Sequence, residues 1–278
     1  MSQAVAALRA GGIVAFPTET VYGLGACTLN PDAIERVYRL KGRPADNPLI
    51  AHVGDAGQAR QLVERWDERA DRLAHRFWPG PLALVLARRA SVPAIAAGGR
   101  DTLAVRAPGH PVALELLRRL GAAISAPSAN RSGRVSPTTA QHVAEEFPDA
   151  DELLILDGGP CTVGVESTVL DLTVEPPRVL RPGAVTAEML SRTIGAVDAA
   201  RVKAQAHAPG TSAAHYAPQT PARIVDTAAL ADAFHDLQGR AAILAWTRTE
   251  VPPPHRTLVM PDDAAAYATR LYAALREA

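Results

Sequence analysis

The chain has 278 residues, 29 Lys plus Arg against 29 Asp plus Glu, and is 47% hydrophobic. That apolar share sustains a packed core and excludes a disordered chain, while the length fits one large domain or a large one with a small companion. A net charge of zero argues against a protein whose main task is holding long nucleic acid, since that task calls for a basic excess. No window reaches the apolar length of a membrane span, and the start MSQAVAALRAGG lacks the basic-then-apolar pattern of a signal peptide. A cytoplasmic protein is the expectation. Cys27 and Cys161, the two cysteines, make neither a disulfide framework nor a zinc cluster, and read as small buried side chains.

In chain order, short apolar runs alternate with amphipathic segments over the first two-thirds. Strands are predicted at Gly12–Phe16, Leu82–Leu86, Leu103–Val105, Ala122–Ile124, Leu153–Leu156, Thr168–Leu170 and Arg178–Leu180, several of them buried on both faces. A helix is predicted after Asn30, which caps it, with Pro31 at its first position, Ile34, Val37 and Tyr38 inward and Gly42 as its stop. Ser136-Pro137 starts a second helix, with Ala140, Val143 and Phe147 inward. Thr186 opens a third, with Met189 and Leu190 inward. The reading is a mixed α/β domain over residues 1–195. Residues 196–221, rich in Ala and ending in Pro, Gly and Ser, form a linker. Residues 222–278 repeat a β-α-β-α rhythm: strands at Ala222–Val225 and Ala241–Trp246, helices around Ala228–Leu237 and from Asp262. So short a tail buries little core, and is expected to lean on the first domain or to be an incomplete one.

Polar residues cluster just after apolar runs, where open α/β sheets place ligands. Pro17 to Gly25 follows the first strand, Arg106 to Gly109 follows Leu103–Val105, and Ser125 to Gly133 follows Ala122–Ile124. Gly164 to Thr168 leads into a strand, and Arg181 to Gly183 follows one. Hydroxyls, backbone N–H groups and arginine forks suit a polyanion such as a nucleotide phosphate. No GxxxxGK[ST] loop, HExxH or GxSxG is present, so phosphate recognition must use another scaffold. Lys41 and Arg43 at a helix end read as a cationic pair for a triphosphate or as mere complements of the helix dipole. Arg106 and Arg181 read as ligand contacts or as surface or salt-bridge residues, Ser128 and Ser136 as ligand contacts or turn and cap residues, and Thr20 and Ser167 as ligand contacts or local backbone partners. His52 reads as a core histidine or a ligand contact, and Phe77–Pro81 as a packed turn. Glu19 and Glu166 are candidate bases or metal ligands, or groups that orient their loops.

The ordered set Phe16–Gly25, Lys41–Pro44 with Asn47–Leu49, Phe77–Pro81, Val105–Pro108, Ser125–Asn130 with Ser132-Gly133, Glu166–Thr168 and Leu180–Gly183 resembles the YrdC-like family across roughly residues 5–195. Pro209-Gly210 and His215–Pro218 further resemble the linker of its two-domain form, here without a basic residue between glycine and histidine and with a shortened tail. The resemblance implies a twisted α/β sheet around a basic concave cavity, and a small α/β domain after it. It implies that L-threonine, bicarbonate and ATP give threonylcarbamoyl-AMP and pyrophosphate, the first step of threonylcarbamoyladenosine modification of tRNA, with a separate transferase downstream. Threonine would meet Thr20, His52, Arg106, the Ala126 backbone and Ser167. ATP would meet Arg43, Asn47, Thr102, Ser128, Ser136, Arg181 and Tyr216. Lys41 and Arg43 would stand nearest the reacting phosphate. Magnesium would ride on the phosphates, with no protein ligand named. The competing readings are a carbamoyl-phosphate-dependent carbamoyltransferase domain of the same fold and an RNA-binding module.

Overall fold

The computed structural model describes residues 1–199, 217–218, 220–235, 239–247 and 249–278. Tyr216 and most of the expected linker lie outside the described residues. The helices are α1 (Ser2–Arg9), α2 (Pro31–Lys41), α3 (Ala56–Arg60), α4 (Glu68–Phe77), α5 (Pro111–Leu120), α6 (Ala140–Glu146), α7 (Ala187–Ile194), α8 (Leu230–His235) and α9 (Ala264–Glu277). The strands are β1 (Val14–Phe16), β2 (Gly23–Cys27), β3 (Ile50–His52), β4 (Leu82–Ala87), β5 (Thr102–Arg106), β6 (Ile124–Ala126), β7 (Leu154–Ile155), β8 (Thr168–Asp171) and β9 (Arg178–Arg181), followed in the tail by β10 (Ala242–Ala245) and β11 (Arg256–Val259).

The first nine strands form one sheet in the order β7-β1-β2-β6-β3-β5-β4-β8-β9. It is mixed: β1/β7, β3/β5 and β4/β8 run parallel, and the other neighbours run antiparallel. The period-2 alternation of the central strands sorts their side chains onto two faces. Ala51, Leu84, Leu86, Leu103 and Val105 point to one face, where they join Leu73 of α4 and Leu190 of α7 in the largest core. Ile50, Ala83, Val85, Ala104 and Val169 form a small cluster on the other face. The register places His52 beside Arg106 and Ile50 opposite Ala126. At these central strands the face opposite the largest core also carries the polar residues, whereas helices cover both faces at the β1–β2 end. The expectation that several strands are buried on both faces holds for Leu82–Leu86 of β4 and Leu103–Arg106 of β5, all of which are buried.

Further cores seat the outer helices. Leu8 of α1 and Leu116 and Leu117 of α5 pack on Phe16 and Ile124. Ala33 and Val37 of α2 and Val143 of α6 pack on Tyr22 and Leu24. The Asn30 side chain accepts from Ala33 N, and Gly42 caps α2, as expected; an N-cap of this type stabilises a helix by about 1 kcal/mol. Four expectations are corrected. Thr139, not Ser136, caps α6, because the Ser136 hydroxyl is engaged by Glu166. Met189 is 39% exposed, and Leu190 alone of that pair is buried. Residues 222–225 form no strand: Ile224 is fully exposed and no backbone ladder forms there. The tail's second strand is β11, which pairs in parallel with β10.

Helix α9 docks on the first domain. The Thr269 hydroxyl donates to the Thr162 carbonyl, Tyr272 packs with Val21 and Val135, and Arg276 forms an ion pair with Glu146 at 2.9 Å. The tail therefore leans on the domain before it, as its small core requires.

Candidate active site

A cleft lies on the polar face of the sheet. It is lined by Thr18, Thr20, Arg43, His52, Arg106, Ala126, Ser128, Glu166, Ser167 and Arg181, with Leu49 and Ile50 among the apolar wall. Eight expected residues thus meet in one cavity: Thr20, Arg43, His52, Arg106, Ala126, Ser128, Ser167 and Arg181. Lys41, Asn47, Thr102 and Ser136 do not line it. Among the described lining residues, three arginines face one carboxylate, so the lining carries a positive excess.

Arg106 is held by a frame of fixed acceptors. Its Nε donates to the Gly80 carbonyl at 3.1 Å and its Nη1 to the Thr20 hydroxyl at 3.0 Å. Gly80 is carried by the packed Phe77–Pro81 turn, whose Trp78 indole donates to the Leu82 carbonyl. Nη2 stands 2.6 Å from Glu19 Oε1, yet the angle between them makes no hydrogen bond, so both atoms lack a hydrogen-bond partner. Glu19 Oε2 accepts from Gly109 N at 2.9 Å. Glu19 therefore serves to orient Arg106 and the following loop. The Thr18 hydroxyl bonds Thr20 Oγ1 and the Val21 carbonyl, which folds the Thr18–Val21 turn on itself.

Arg43 is aimed by its own loop. Its Nε donates to the Asn47 carbonyl, and its Nη2 donates to Asn47 Oδ1 at 2.6 Å and to the Pro48 carbonyl at 2.9 Å. Asn47 thus supports Arg43 from outside the cavity. Across the cleft, Arg181 Nε donates to the Ser167 carbonyl and Nη2 to the Ser167 hydroxyl, each at 3.0 Å.

Lys41 is 2% exposed and sits behind the cavity wall. Its Nζ donates to the Ser128 carbonyl at 2.7 Å, the Asn130 carbonyl at 2.6 Å and Asn130 Oδ1 at 3.1 Å. Burial and the neighbouring Arg43 push its pKa well below the usual lysine value. Three close acceptors nevertheless match the three N–H groups of an ammonium, which a neutral amine with two cannot satisfy, and the bonding pattern is that of the charged form. In return, the Lys41 carbonyl accepts from Ser132 N at 2.9 Å. The lysine expected beside a phosphate instead pins the loop that brings Ser128 to the cavity. Asn130, its main partner, lies within the Ser125–Asn130 motif and carries no local signal of this role.

His52 is buried, lies edge-on to Phe16 at 5.5 Å, and has an Nδ1 with no hydrogen-bond partner. Burial, then the positive charge of Arg106, holds its pKa down at about 3. The imidazole is therefore neutral at physiological pH and offers the cavity a hydrogen-bonding group without charge. The sign of its linkage follows. An unfolded histidine, with a pKa of about 6.5, takes up a proton on acidification that the folded one refuses. The contribution of His52 is intact above about pH 6.5 and is lost at up to about 1.4 kcal/mol per pH unit as pH falls toward 3. Denaturant titrations at pH 7 and pH 5 are expected to show His52→Gln losing roughly 2 kcal/mol less than wild type on acidification. Equal losses would show that position 52 does not titrate in this window. Cys161 is buried, and burial together with Glu19 pushes its thiol up to about 12, so it offers no nucleophile.

The fold and cavity define a class: an α/β protein whose mixed sheet carries an arginine-lined cleft. A family model described as "Telomere recombination" and covering the Sua5, YciO and YrdC proteins matches residues 6–183, and one described as "Threonylcarbamoyl-AMP synthase, C-terminal domain" matches residues 185–278. The chain belongs to the Sua5/YciO/YrdC family. A threonylcarbamoyl-AMP synthase of Pyrococcus abyssi is 49% identical over 224 residues, 79% of this chain and 66% of that protein. One of Bacillus subtilis is 46% identical over 232 residues, 81% of this chain and 66% of the relative. The chain thus spans just under two-thirds of the length of these two relatives. The crystal structure of P. abyssi Sua5 complexed with L-threonine superposes with a TM-score of 0.89 at 39% identity, covering 99% of this chain and 84% of the other.

Proposed function

We propose that this chain is an L-threonylcarbamoyladenylate synthase, which converts L-threonine, bicarbonate and ATP to threonylcarbamoyl-AMP and pyrophosphate. The observation that carries the reading is the buried Arg106 fork, fixed by Gly80, Thr20 and Glu19 at a cleft that also holds Arg43 and Arg181. The two relatives named as such synthases and the Sua5 structure with L-threonine support the choice of substrates.

The chemistry joins two anions. The threonine amine and bicarbonate condense to an N-carboxylate with loss of water. A carboxylate oxygen then attacks the α-phosphorus, and the bond to the β-phosphate oxygen breaks, releasing pyrophosphate. Fixed guanidinium groups offset the repulsion and stabilise charge growing on the leaving oxygens. Holding the two reactants in line removes an entropy cost of up to roughly 7–11 kcal/mol. No side-chain nucleophile is required.

The threonine-facing set is Thr20, His52, Arg106, the Ala126 backbone and Ser167. The nucleotide-facing set is Arg43, Ser128 and Arg181, supported by Asn47 and Ser136; Thr102 stands outside the cavity lining, and Tyr216 enters on the family resemblance alone. Among the described residues no cluster of three metal-binding side chains exists, and Glu166, the one carboxylate in the lining, is already engaged by two hydroxyls. Magnesium would enter as part of the Mg·ATP substrate. The product would pass to a transferase that modifies tRNA in the cytoplasm. No helix among the described residues is long and apolar enough to cross a membrane.

Pyrophosphate release is expected to require threonine and bicarbonate together. Equal release without threonine would remove the assignment. Turnover with carbamoyl phosphate in place of bicarbonate would point to carbamoyl transfer instead.

A further inference from the structure

Glu166 occupies an unusual place. It is the one carboxylate among the described residues lining a cavity proposed to receive a polyphosphate. Left free, its charge would oppose the ligand. Both of its oxygens are instead held: the Ser136 hydroxyl donates to Oε1, and the Tyr272 hydroxyl donates to Oε2 at 2.5 Å. Tyr272 comes from α9, the last helix of the chain, 106 residues further along the sequence.

The helix is fitted to this task at several points. Thr269, Tyr272 and Arg276, three and seven residues apart, share one face. Gly164, two residues before Glu166, meets the backbone of Thr269 so closely that a Cβ there would stand 2.3 Å from its carbonyl oxygen, and its φ of +72° favours glycine. Arg276 donates to the Val135 carbonyl beside Ser136 and pairs with Glu146 at 2.9 Å. The Tyr272 ring packs against Val135 and Val21, and Val21 itself lines the cavity. The helix therefore reaches Ser136 along its backbone and, through Glu166, at its hydroxyl.

We propose that α9 is a working part of the nucleotide site, with Tyr272 as a positioning residue that holds the Glu166 carboxylate against the wall and away from the incoming phosphates. This rests on the reading of the cleft as an ATP site. A purely packing role for Tyr272 would act through stability alone. A positioning role acts on nucleotide affinity and depends on the charge of Glu166.

The test is a double-mutant cycle on the full chain, with Tyr272→Phe, Glu166→Gln and the pair, since phenylalanine keeps the ring packing and removes only the hydroxyl. Threonine- and bicarbonate-dependent pyrophosphate release gives KM and kcat, and calorimetry gives the affinity for the α,β-methylene analogue of ATP. Tyr272→Phe is expected to raise the KM for ATP and the analogue Kd about tenfold, the scale of one hydrogen bond to a charged group, with kcat changed less than about twofold. In the Glu166→Gln background the same substitution is expected to have no further effect. Should Tyr272→Phe not fold, Gly164→Ala lifts the helix by another route and is expected to weaken analogue binding in the same direction. Unchanged ATP affinity in the folded variant, or an equal loss with and without the Glu166 charge, would overturn the proposal. A wild-type protein that neither turns over nor binds the analogue would remove the ATP reading and this inference with it, whereas an active wild type with an unaffected variant removes this inference alone.

Discussion

Lys41→Met is expected to lower both turnover and melting temperature. Methionine keeps most of the packed stem but removes the ammonium, leaving the Ser128 carbonyl, the Asn130 carbonyl and Asn130 Oδ1 without their donor. Each buried acceptor orphaned in this way costs about 1–3 kcal/mol, so a loss of roughly 3–5 kcal/mol is expected, partly relieved where water or rotation restores a bond. For a chain of this size that corresponds to a fall in Tm of roughly 10 °C. The loop from Ser128 to Arg134 then keeps Asn130 Nδ2 donating to the Arg131 and Arg134 carbonyls, Arg131 N donating to Glu146 and Ser132 N donating to the residue-41 carbonyl, but loses the ammonium that ties Ser128 to Asn130. Ser128 shifts in the cavity wall, and a displacement of about 1 Å in a substrate-positioning group is enough for about a hundredfold loss of rate. Differential scanning calorimetry with steady-state pyrophosphate release reads both effects. A comparable loss of turnover at an unchanged Tm would show that the lysine acts by touching the ligand and not by holding the loop.

The residues that carry the strands were legible in proportion to how much they look like strands. β4 and β5 are continuous apolar runs and stand close to where the pattern placed them. β2, Gly23–Cys27, carries no such signal, because its inner positions must be small. A Cβ on Gly25 would stand 2.4 Å from Ile124 Cγ2 and 2.7 Å from the Phe16 ring. Close packing has excluded from this strand the branched residues by which strands are recognised. β3 is only three residues long and ends in His52, whose value lies in the cavity and not in the core. The register that places His52 beside Arg106 was therefore invisible, although both residues were singled out separately.

The candidate site shows the same division. Hydroxyls and arginines after strand ends were readable, since strand ends are where α/β sheets present ligand contacts. Which of them face the cavity and which stand behind it depends on distant partners. Lys41 is drawn away by Asn130, Ser136 by Glu166, and Glu166 by Tyr272. Tyr272 sits in an alanine-rich amphipathic helix and has no local feature to set it apart from a core residue. Its role is created by a contact that only the folded chain makes.

The second large effect is expected at Arg106, where two consequences can be separated. Arg106→Met removes a guanidinium with donors to Gly80 and Thr20 and a charge partner for Glu19. The Glu19 carboxylate, buried with Gly109 N as its hydrogen-bond donor, is left without a counter-charge. Breaking one side of a buried pair in this way costs about 3–5 kcal/mol. Independently, the cavity loses a fixed donor for the substrate anion, and loss of one such preorganised donor lowers turnover by about 10²–10³-fold. Arg106→Lys is not a remedy, because a point-like ammonium cannot serve Gly80, Thr20 and a ligand from one planar fork. Adding Glu19→Gln to Arg106→Met removes the stranded charge. Denaturant midpoints are expected to return most of the way to wild type in the double variant, while turnover stays at the level of the single one. The two losses have different physical origins: one is the desolvation of an unpaired carboxylate, the other the absence of a cation where the proposed reaction brings two anions together. Recovery of turnover together with stability would place Arg106 in the framework alone and leave Arg43 and Arg181 as the cations that face the reacting groups.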